Sequence, residues 1–339
     1  MRAAVLHGKE DVRIESVPES PLRPGEVRVR IEAALTCGTD LKVFRRGYHA
    51  RMLVPPCTFG HELAGTVCKV HPETPGWSVG DRVVAANSAP CGTCAPCRRD
   101  QEFLCDDLLF LNGAYAESIV IPARITARNL LRLPDSLPFV DAALTEPLAC
   151  VVQGLDDLDV RSGDRLLVLG SGPIGLMAVA LARHAGACVT VLGRGESRLS
   201  HARRLGAEAT FESPSPDRIE APPGMRTDFD RVFEAIGKPA AWEASTAFVR
   251  KGGRVNLFGG CPAGTTVQFD TTRIHYSALT LLASFHHTPR TIRRALAFIE
   301  SRVITAADFV DGRCTLEELP GLFASMSAGN RAVKTLVQV

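Results

Sequence analysis

The sequence contains no apolar stretch long enough to span a bilayer. Its longest apolar run, RLLVLGSGPIGLMAVALARHAG, is cut by glycine, proline and charge. Blocks of like charge are missing too. The net charge is only +2, without a basic patch or an acidic tail, which excludes the electrostatic footprint of a nucleic-acid binder. There is no internal repeat and no low-complexity segment. The opening MRAAVLHGKEDVRIESVP follows a strand-like pattern and lacks the apolar centre of a secretory signal. A cytoplasmic protein with reduced thiols is therefore expected.

What is present is the composition of a soluble globular chain, 45% hydrophobic and 22% charged. Its 339 residues exceed one ordinary core, so two domains are expected. Seven of the 11 cysteines are scattered (Cys37, Cys57, Cys68, Cys150, Cys188, Cys261 and Cys314). The other four crowd into CGTCAPCRRDQEFLC as Cys91, Cys94, Cys97 and Cys105. This C-x2-C-x2-C-x7-C spacing suits a structural Zn²⁺ site, because tight two-residue gaps turn successive thiolates inward onto one tetrahedral ion. Gly92, Thr93, Ala95 and Pro96 are the small, turn-forming residues such a loop needs. A disulfide knot and an iron–sulfur centre are the competing readings. The first is disfavoured by the missing signal; the second shares its spacings with zinc sites.

Residues 1–150 read as β-rich. EVRVRIEAA alternates with period two, and HELAGTVCKV and DRVVAA are further short strands between turn residues. Antiparallel sheet or barrel is expected there. Near residue 160 the pattern changes to alternating strand and helix. RLLVLG, ACVTVLG, GGRVNLFGG and LTLLASF read as strands, with PIGLMAVALARHAG and SRLSHARRLGA as helices, implying a doubly wound parallel sheet. The last helical segment, TPRTIRRALAFIESR, and the strand KTLVQV follow that sheet and are placed to return to the first domain.

Gly170-Ser171-Gly172-Pro173-Ile174-Gly175 is a G-x-G-x-x-G that directly follows a strand and opens a helix. In that setting it marks a dinucleotide site. Gly170 serves the tight turn, Gly172 the approach of pyrophosphate, and Gly175 the close helix–strand packing. The backbone of Pro173 and Ile174 opens the helix whose N-terminus faces the phosphates. About 20 residues on, an NAD site usually carries an acid for the ribose hydroxyls. Here Gly193 stands there and Arg194 follows, which favours NADP over NAD because a guanidinium pairs with a 2′-phosphate. Arg198 lies one turn further and is placed to assist. Glu196 remains an alternative ribose acceptor.

A second set of candidate ligands lies apart from the four cysteines: Cys37 in TCGTD, His61 and Glu62 in FGHELAG, and Glu146 in TEPLAC. One thiolate, one imidazole and one or two carboxylates make a donor set suited to catalytic zinc with an open position.

The order CGTD, GHE, four-cysteine loop, EPLAC, GSGPIG resembles the zinc-dependent medium-chain dehydrogenases over essentially the whole length. Glu146 in place of a cysteine resembles the sorbitol, threonine and sugar dehydrogenase branch. The resemblance implies a two-domain α/β protein. Residues 1–150 and 289–339 would form a GroES-like β-barrel catalytic domain and residues 151–288 a Rossmann domain, with the active zinc between them. It implies two zinc ions per chain. The structural ion would sit on Cys91, Cys94, Cys97 and Cys105. The catalytic ion would sit on Cys37, His61 and Glu62, with Glu146 direct or one water away. Thr39 matches the hydroxyl residue that bonds the substrate oxygen, and Asp40 a structural acid beside it. Many relatives place a relay histidine where this chain has Lys42. The implied reaction is hydride transfer between a secondary alcohol of polyol, sugar or amino-alcohol type and NAD(P), in a homodimer or homotetramer. A simple alcohol dehydrogenase, a zinc-free quinone or enone reductase of the same superfamily, and a non-catalytic nucleotide sensor are the alternatives. The ligand set and Thr39 speak against the last two.

Overall fold

The computed structural model describes residues 1–49, 51–215, 217–329 and 332–339. The chain divides into two compact units, Met1–Ala149 with His287–Val339, and Cys150–His286. The first is therefore discontinuous in sequence.

Its main sheet is built around the strand Val27–Leu35. Alternating valine, isoleucine and alanine bury one face of that strand, while Arg30 and Glu32 face outward. Glu62–Val70 pairs with it antiparallel, as do Ser118–Ile121 and the C-terminal strand Thr335–Gln338. Arg82–Ala85 and Leu130–Arg132 extend the sheet on one side, and Gly312–Thr315 pairs parallel to Thr335–Gln338 on the other. A three-stranded sheet of Arg2–Gly8, Asp11–Ser16 and Cys57–Thr58 and a two-stranded one of Ser88–Ala89 with Leu109–Phe110 accompany it. Phe323, from the helix Leu319–Ser327, stacks on Phe44 at 5.5 Å and leans on Phe59 at 5.4 Å between ring centres. The C-terminal segment thus supplies both a strand and core aromatics to a unit that starts at residue 1.

The second unit is a six-stranded all-parallel sheet. Its spatial order is Ala209–Glu212, Cys188–Gly193, Arg165–Leu169, Phe229–Glu234, Val249–Leu257, Thr280–Leu282. Counted along the chain this is 3-2-1-4-5-6, the doubly wound order whose switch point lies beside the first strand. The first strand, Leu-Leu-Val-Leu after Arg165, is buried on both faces, as a central parallel strand requires. A six-residue helix at Thr271–Tyr276 is capped by Asp270, whose side chain accepts the Arg273 backbone N–H. No helix among the described residues is long and apolar enough to cross a membrane.

Candidate active site and coenzyme site

Cys37 caps the helix Gly38–Arg46, and its sulfur accepts the Thr39 backbone N–H at 3.4 Å. That bond uses one of the free donors at the helix start and places partial positive charge beside the thiol. His61 and Glu62 sit where the strand Glu62–Val70 begins, directly across the sheet from Leu35. The sequence therefore brings Cys37 and the His61–Glu62 pair together through strand pairing. Ligand atoms of Cys37, His61 and Glu62 all lie within 4.8 Å of one another.

Behind His61 is a buried relay of hydrogen bonds. His61 Nδ1 donates to Asp40 Oδ1 at 2.9 Å, and the Tyr115 hydroxyl donates to Asp40 Oδ2 at 2.6 Å. An ionised carboxylate only accepts, so Nδ1 carries the proton and Nε2 keeps a lone pair for a ligand. Burial opposes a charged ring, yet Asp40 and Cys37 raise its proton affinity well above that of an ordinary histidine. The groups that favour a proton on this ring would favour a metal cation in its place. Gly60 (φ +88) is required here, because a Cβ would stand 2.6 Å from the Tyr115 ring.

Glu62 is fully buried, and Lys334 donates to both of its oxygens, at 2.7 and 2.5 Å. Lys334 also donates to the Thr36 carbonyl at 3.0 Å. Burial would discharge this ammonium, but Glu62 and Cys37 outweigh it and hold Lys334 protonated. Glu146 stands in the first turn of the helix Thr145–Leu158. Burial pushes its carboxyl up to about 7 against the pull of His61. Its Oε1 is 3.9 Å from Nε2 of buried His287, which is bonded to Asn87 Oδ1 at 2.9 Å. Thr39 is half-buried one residue into the helix, and Lys42 is exposed on it.

The four-cysteine loop forms a second centre. All four sulfurs lie within 4.8 Å of one another, with Cys94 Sγ 3.4 Å from Cys97 Sγ and 3.9 Å from Cys105 Sγ. Sulfurs at the corners of a tetrahedron around zinc stand about 3.8 Å apart for Zn–S bonds of about 2.3 Å. None of the cysteines is in a disulfide. Hydrogen bonds from Thr93, side chain and backbone, draw the Cys91 thiol down to about 6, whereas burial and Cys94 push Cys97 up to about 12. Four such sulfurs cannot all ionise without a cation, and this donor set fits zinc.

In the second unit the glycine-rich turn links the strand Arg165–Leu169 to the helix Pro173–His184. Gly172 is its N-cap without a side-chain cap, and the first helical bond runs from Leu176 N–H to the Gly172 carbonyl. The amides of Ile174 and Gly175 are thus left for an anion, while Pro173 has none to offer. A Cβ on Gly175 would lie 1.9 Å from the Gly170 carbonyl, so close helix–strand packing requires glycine. Gly193 ends the second strand, and Arg194 is exposed with no side-chain hydrogen bond to another described residue. Glu196 is committed elsewhere: its carboxylate pairs with Arg203. Arg198 lies in the helix Glu196–Arg204 and is half-buried. The turn fits a dinucleotide.

Tyr115, Lys334 and the Asn87–His287 pair were not singled out for these roles in the sequence. Lys334 meets Glu62 across 272 residues, and no local motif announces it.

Residues 23–135 match the family of alcohol dehydrogenase GroES-like domains, and residues 173–301 that of zinc-binding dehydrogenases. The chain is 34% identical to the D-altritol 5-dehydrogenase of Agrobacterium fabrum, over 95% of this chain and 94% of that one. It is 28% identical to the sorbitol dehydrogenase of Bacillus subtilis, over 99% and 97%. An L-threonine 3-dehydrogenase of Aeromonas hydrophila is 32% identical over 81% and 80%. Among solved structures, a zinc-binding dehydrogenase of Sinorhizobium meliloti bound to NADP superposes with a TM-score of 0.88 at 28% identity, covering 100% and 99%.

Proposed function

The chain belongs to the zinc-dependent medium-chain dehydrogenases of the alcohol dehydrogenase superfamily, and from that premise we propose that its substrate is a secondary alcohol of polyol, sugar or amino-alcohol type and its preferred coenzyme NADP. The reaction moves a hydride between the alcohol carbon and NAD(P), giving the ketone. The observation that carries the reading is the convergence of Cys37, His61 and Glu62 within 4.8 Å, backed by Asp40. Names of relatives point to the substrate class: D-altritol, sorbitol and L-threonine dehydrogenases.

Cys37 and His61 would hold the catalytic zinc, with Glu62 and Glu146 as its carboxylates. When bound, zinc supplies the Lewis acidity that makes a substrate hydroxyl more acidic. The chain's own groups do the rest. Asp40 fixes the His61 ring, with Tyr115 fixing Asp40 in turn. Lys334 balances the charge of Glu62. The Thr39 hydroxyl accepts the proton of the substrate alcohol and passes it toward solvent. The amides of Ile174 and Gly175 bind pyrophosphate, and Arg194 receives a 2′-phosphate that no carboxylate at 193 repels. A second zinc held by Cys91, Cys94, Cys97 and Cys105 is structural, since four thiolates leave it no open position. The protein works as a homodimer or homotetramer in the cytoplasm, in keeping with its unbridged thiols.

One screen tests the reading: oxidation of polyols, sugars, amino alcohols and simple alcohols, with NAD⁺ and NADP⁺ side by side, and zinc content measured on the same preparation. Turnover of polyhydroxy or amino alcohols with NADP⁺ and two zinc ions per chain are expected. Activity restricted to simple alcohols, or undiminished after chelation, would refute the substrate or the metal assignment respectively. Cys37→Ala should abolish turnover while leaving coenzyme binding intact.

A further inference from the structure

The end of the second Rossmann strand is gripped by a residue that the glycine motif leaves unspecified. Ser171, the x of the first G-x-G, is buried. Its Oγ accepts the Arg194 N–H at 3.1 Å, and its hydroxyl donates to the Arg194 carbonyl at 3.1 Å. One side chain thus satisfies both backbone groups of one residue. The neighbours of Arg194 are fixed as well. The Gly195 N–H donates to Glu212 Oε1 at 3.0 Å, and the Gly193 carbonyl accepts Ser213 N–H at 2.7 Å.

This grip closes the space beside Gly193. A Cβ at 193 would lie 2.6 Å from both Cβ and Oγ of Ser171 and 3.1 Å from its amide nitrogen. Gly193 is not among the residues with positive φ, so its backbone would accept another residue. The two closest of these atoms belong to the Ser171 side chain. Positions 171 and 193 share room for one side chain, and in this chain Ser171 holds it.

We propose that Ser171 is a positioning and specificity-determining residue for the coenzyme. By drawing Arg194 in, it excludes an acid from 193 and sets the backbone from which the Arg194 guanidinium meets a ribose 2′-phosphate. The inference rests on the reading of Arg194 as the phosphate partner. It adds that coenzyme choice is written both in the glycine-rich turn and at the end of the second strand, so an acid at 193 cannot recruit the ribose hydroxyls until residue 171 gives way.

The test is fluorescence titration of the full-length protein with NADP⁺ and NAD⁺, with melting curves of the coenzyme-free form, for Ser171→Ala, Gly193→Asp, Ser171→Gly and Ser171→Gly/Gly193→Asp. Gly193→Asp alone should weaken both dinucleotides, each by about tenfold or more, and lower the melting temperature. The double variant should regain NAD⁺ affinity by about tenfold over Gly193→Asp, so that the two positions couple in the double-mutant cycle. Ser171→Ala should weaken NADP⁺ by several-fold, on the order of a lost charge-partner geometry, and leave NAD⁺ nearly unchanged. A merely structural serine would weaken both alike. Should the aspartates fail to fold, Gly193→Ala with and without Ser171→Gly gives the same cycle by melting alone.

Equal weakening of both coenzymes by Ser171→Ala, or additive effects at 171 and 193, would overturn the proposal while leaving the Arg194 reading intact. A wild-type preference for NAD⁺ would overturn the Arg194 reading and the specificity role with it. Coupled melting temperatures in that case would still report the shared space.

Discussion

Replacing Lys334 by methionine keeps an unbranched side chain as far as Cε and removes the ammonium with its charge. The ammonium is only 2% exposed, and it donates to Glu62 at 2.7 and 2.5 Å and to the Thr36 carbonyl at 3.0 Å. Removing one member of a buried ion pair costs about 3–5 kcal/mol, because the other charge stays buried without compensation. The unit that contains the pair has roughly 200 residues, for which each kcal/mol moves Tm by about 2–4 °C. The expected fall in Tm is therefore roughly 6–20 °C. Differential scanning calorimetry at equal zinc occupancy, with the metal measured for each variant, reads it directly. Lys334→Arg should recover part of the loss. The double variant Glu62→Gln/Lys334→Met should be less destabilised than the two single losses added, since it leaves no orphaned charge. A loss below about 1 kcal/mol for Lys334→Met, the worth of an exposed pair, would refute the argument that Glu62 depends on this lysine.

Asp40→Asn should leave the fold intact but lower zinc affinity at the catalytic site by about 10–100-fold, measured by competition with a chromophoric chelator; an unchanged affinity would mean that Asp40 does not orient His61. Cys94→Ser should remove one of two zinc equivalents and lower Tm while NADP⁺ titrations stay as in the parent. Glu234, buried at the end of its strand, is pushed up to about 7 by burial, although the amides of Gly237, Ile236 and Gly259 pull the other way. Its folded form keeps a proton that the unfolded chain has released above its ordinary carboxylate range, so its contribution to stability falls as pH rises from about 4.5 to 7. Glu234→Gln should flatten the dependence of Tm on pH between these values, and an unaltered slope would assign that dependence to other groups.

What the sequence discloses is what neighbours in the chain build. The G-x-G-x-x-G stands between a strand and a helix at Arg165–Leu169 and Pro173–His184, which the apolar patterns of RLLVLG and PIGLMAVALARHAG imply. The four cysteines span 15 residues, so their convergence needs only a loop. The Cys37 and His61–Glu62 segments are visible as motifs, but their meeting depends on the pairing of Leu35 with Glu62. Beyond that range the signal fades. Tyr115 reaches Asp40 across 75 residues and Lys334 reaches Glu62 across 272, and neither contact leaves a spacing to read. Glu196 shows the opposite case: near in sequence to the ribose position, it is claimed by Arg203 seven residues on. The motif allows any residue at Ser171, and only the distance to Gly193 gives it meaning.

The lysine beside Glu62 also sets an order of events. The two partners are 272 positions apart in sequence, and all of the second unit lies between them. At ribosomal speeds of about 5–20 residues per second, Glu62 emerges roughly 15–55 s before Lys334 does. Through that interval the barrel lacks Thr335–Gln338 beside Val27–Leu35 and the Phe323 ring in its core, and the carboxylate next to Cys37 has no counter-ion. The parallel sheet of the second unit is free to form meanwhile, since all six of its strands precede Lys334. Closure of the sheet around Val27–Leu35 is thus a late step, and a ribosome-stalled chain ending before Lys334 would hold a complete second unit and an unfinished first one.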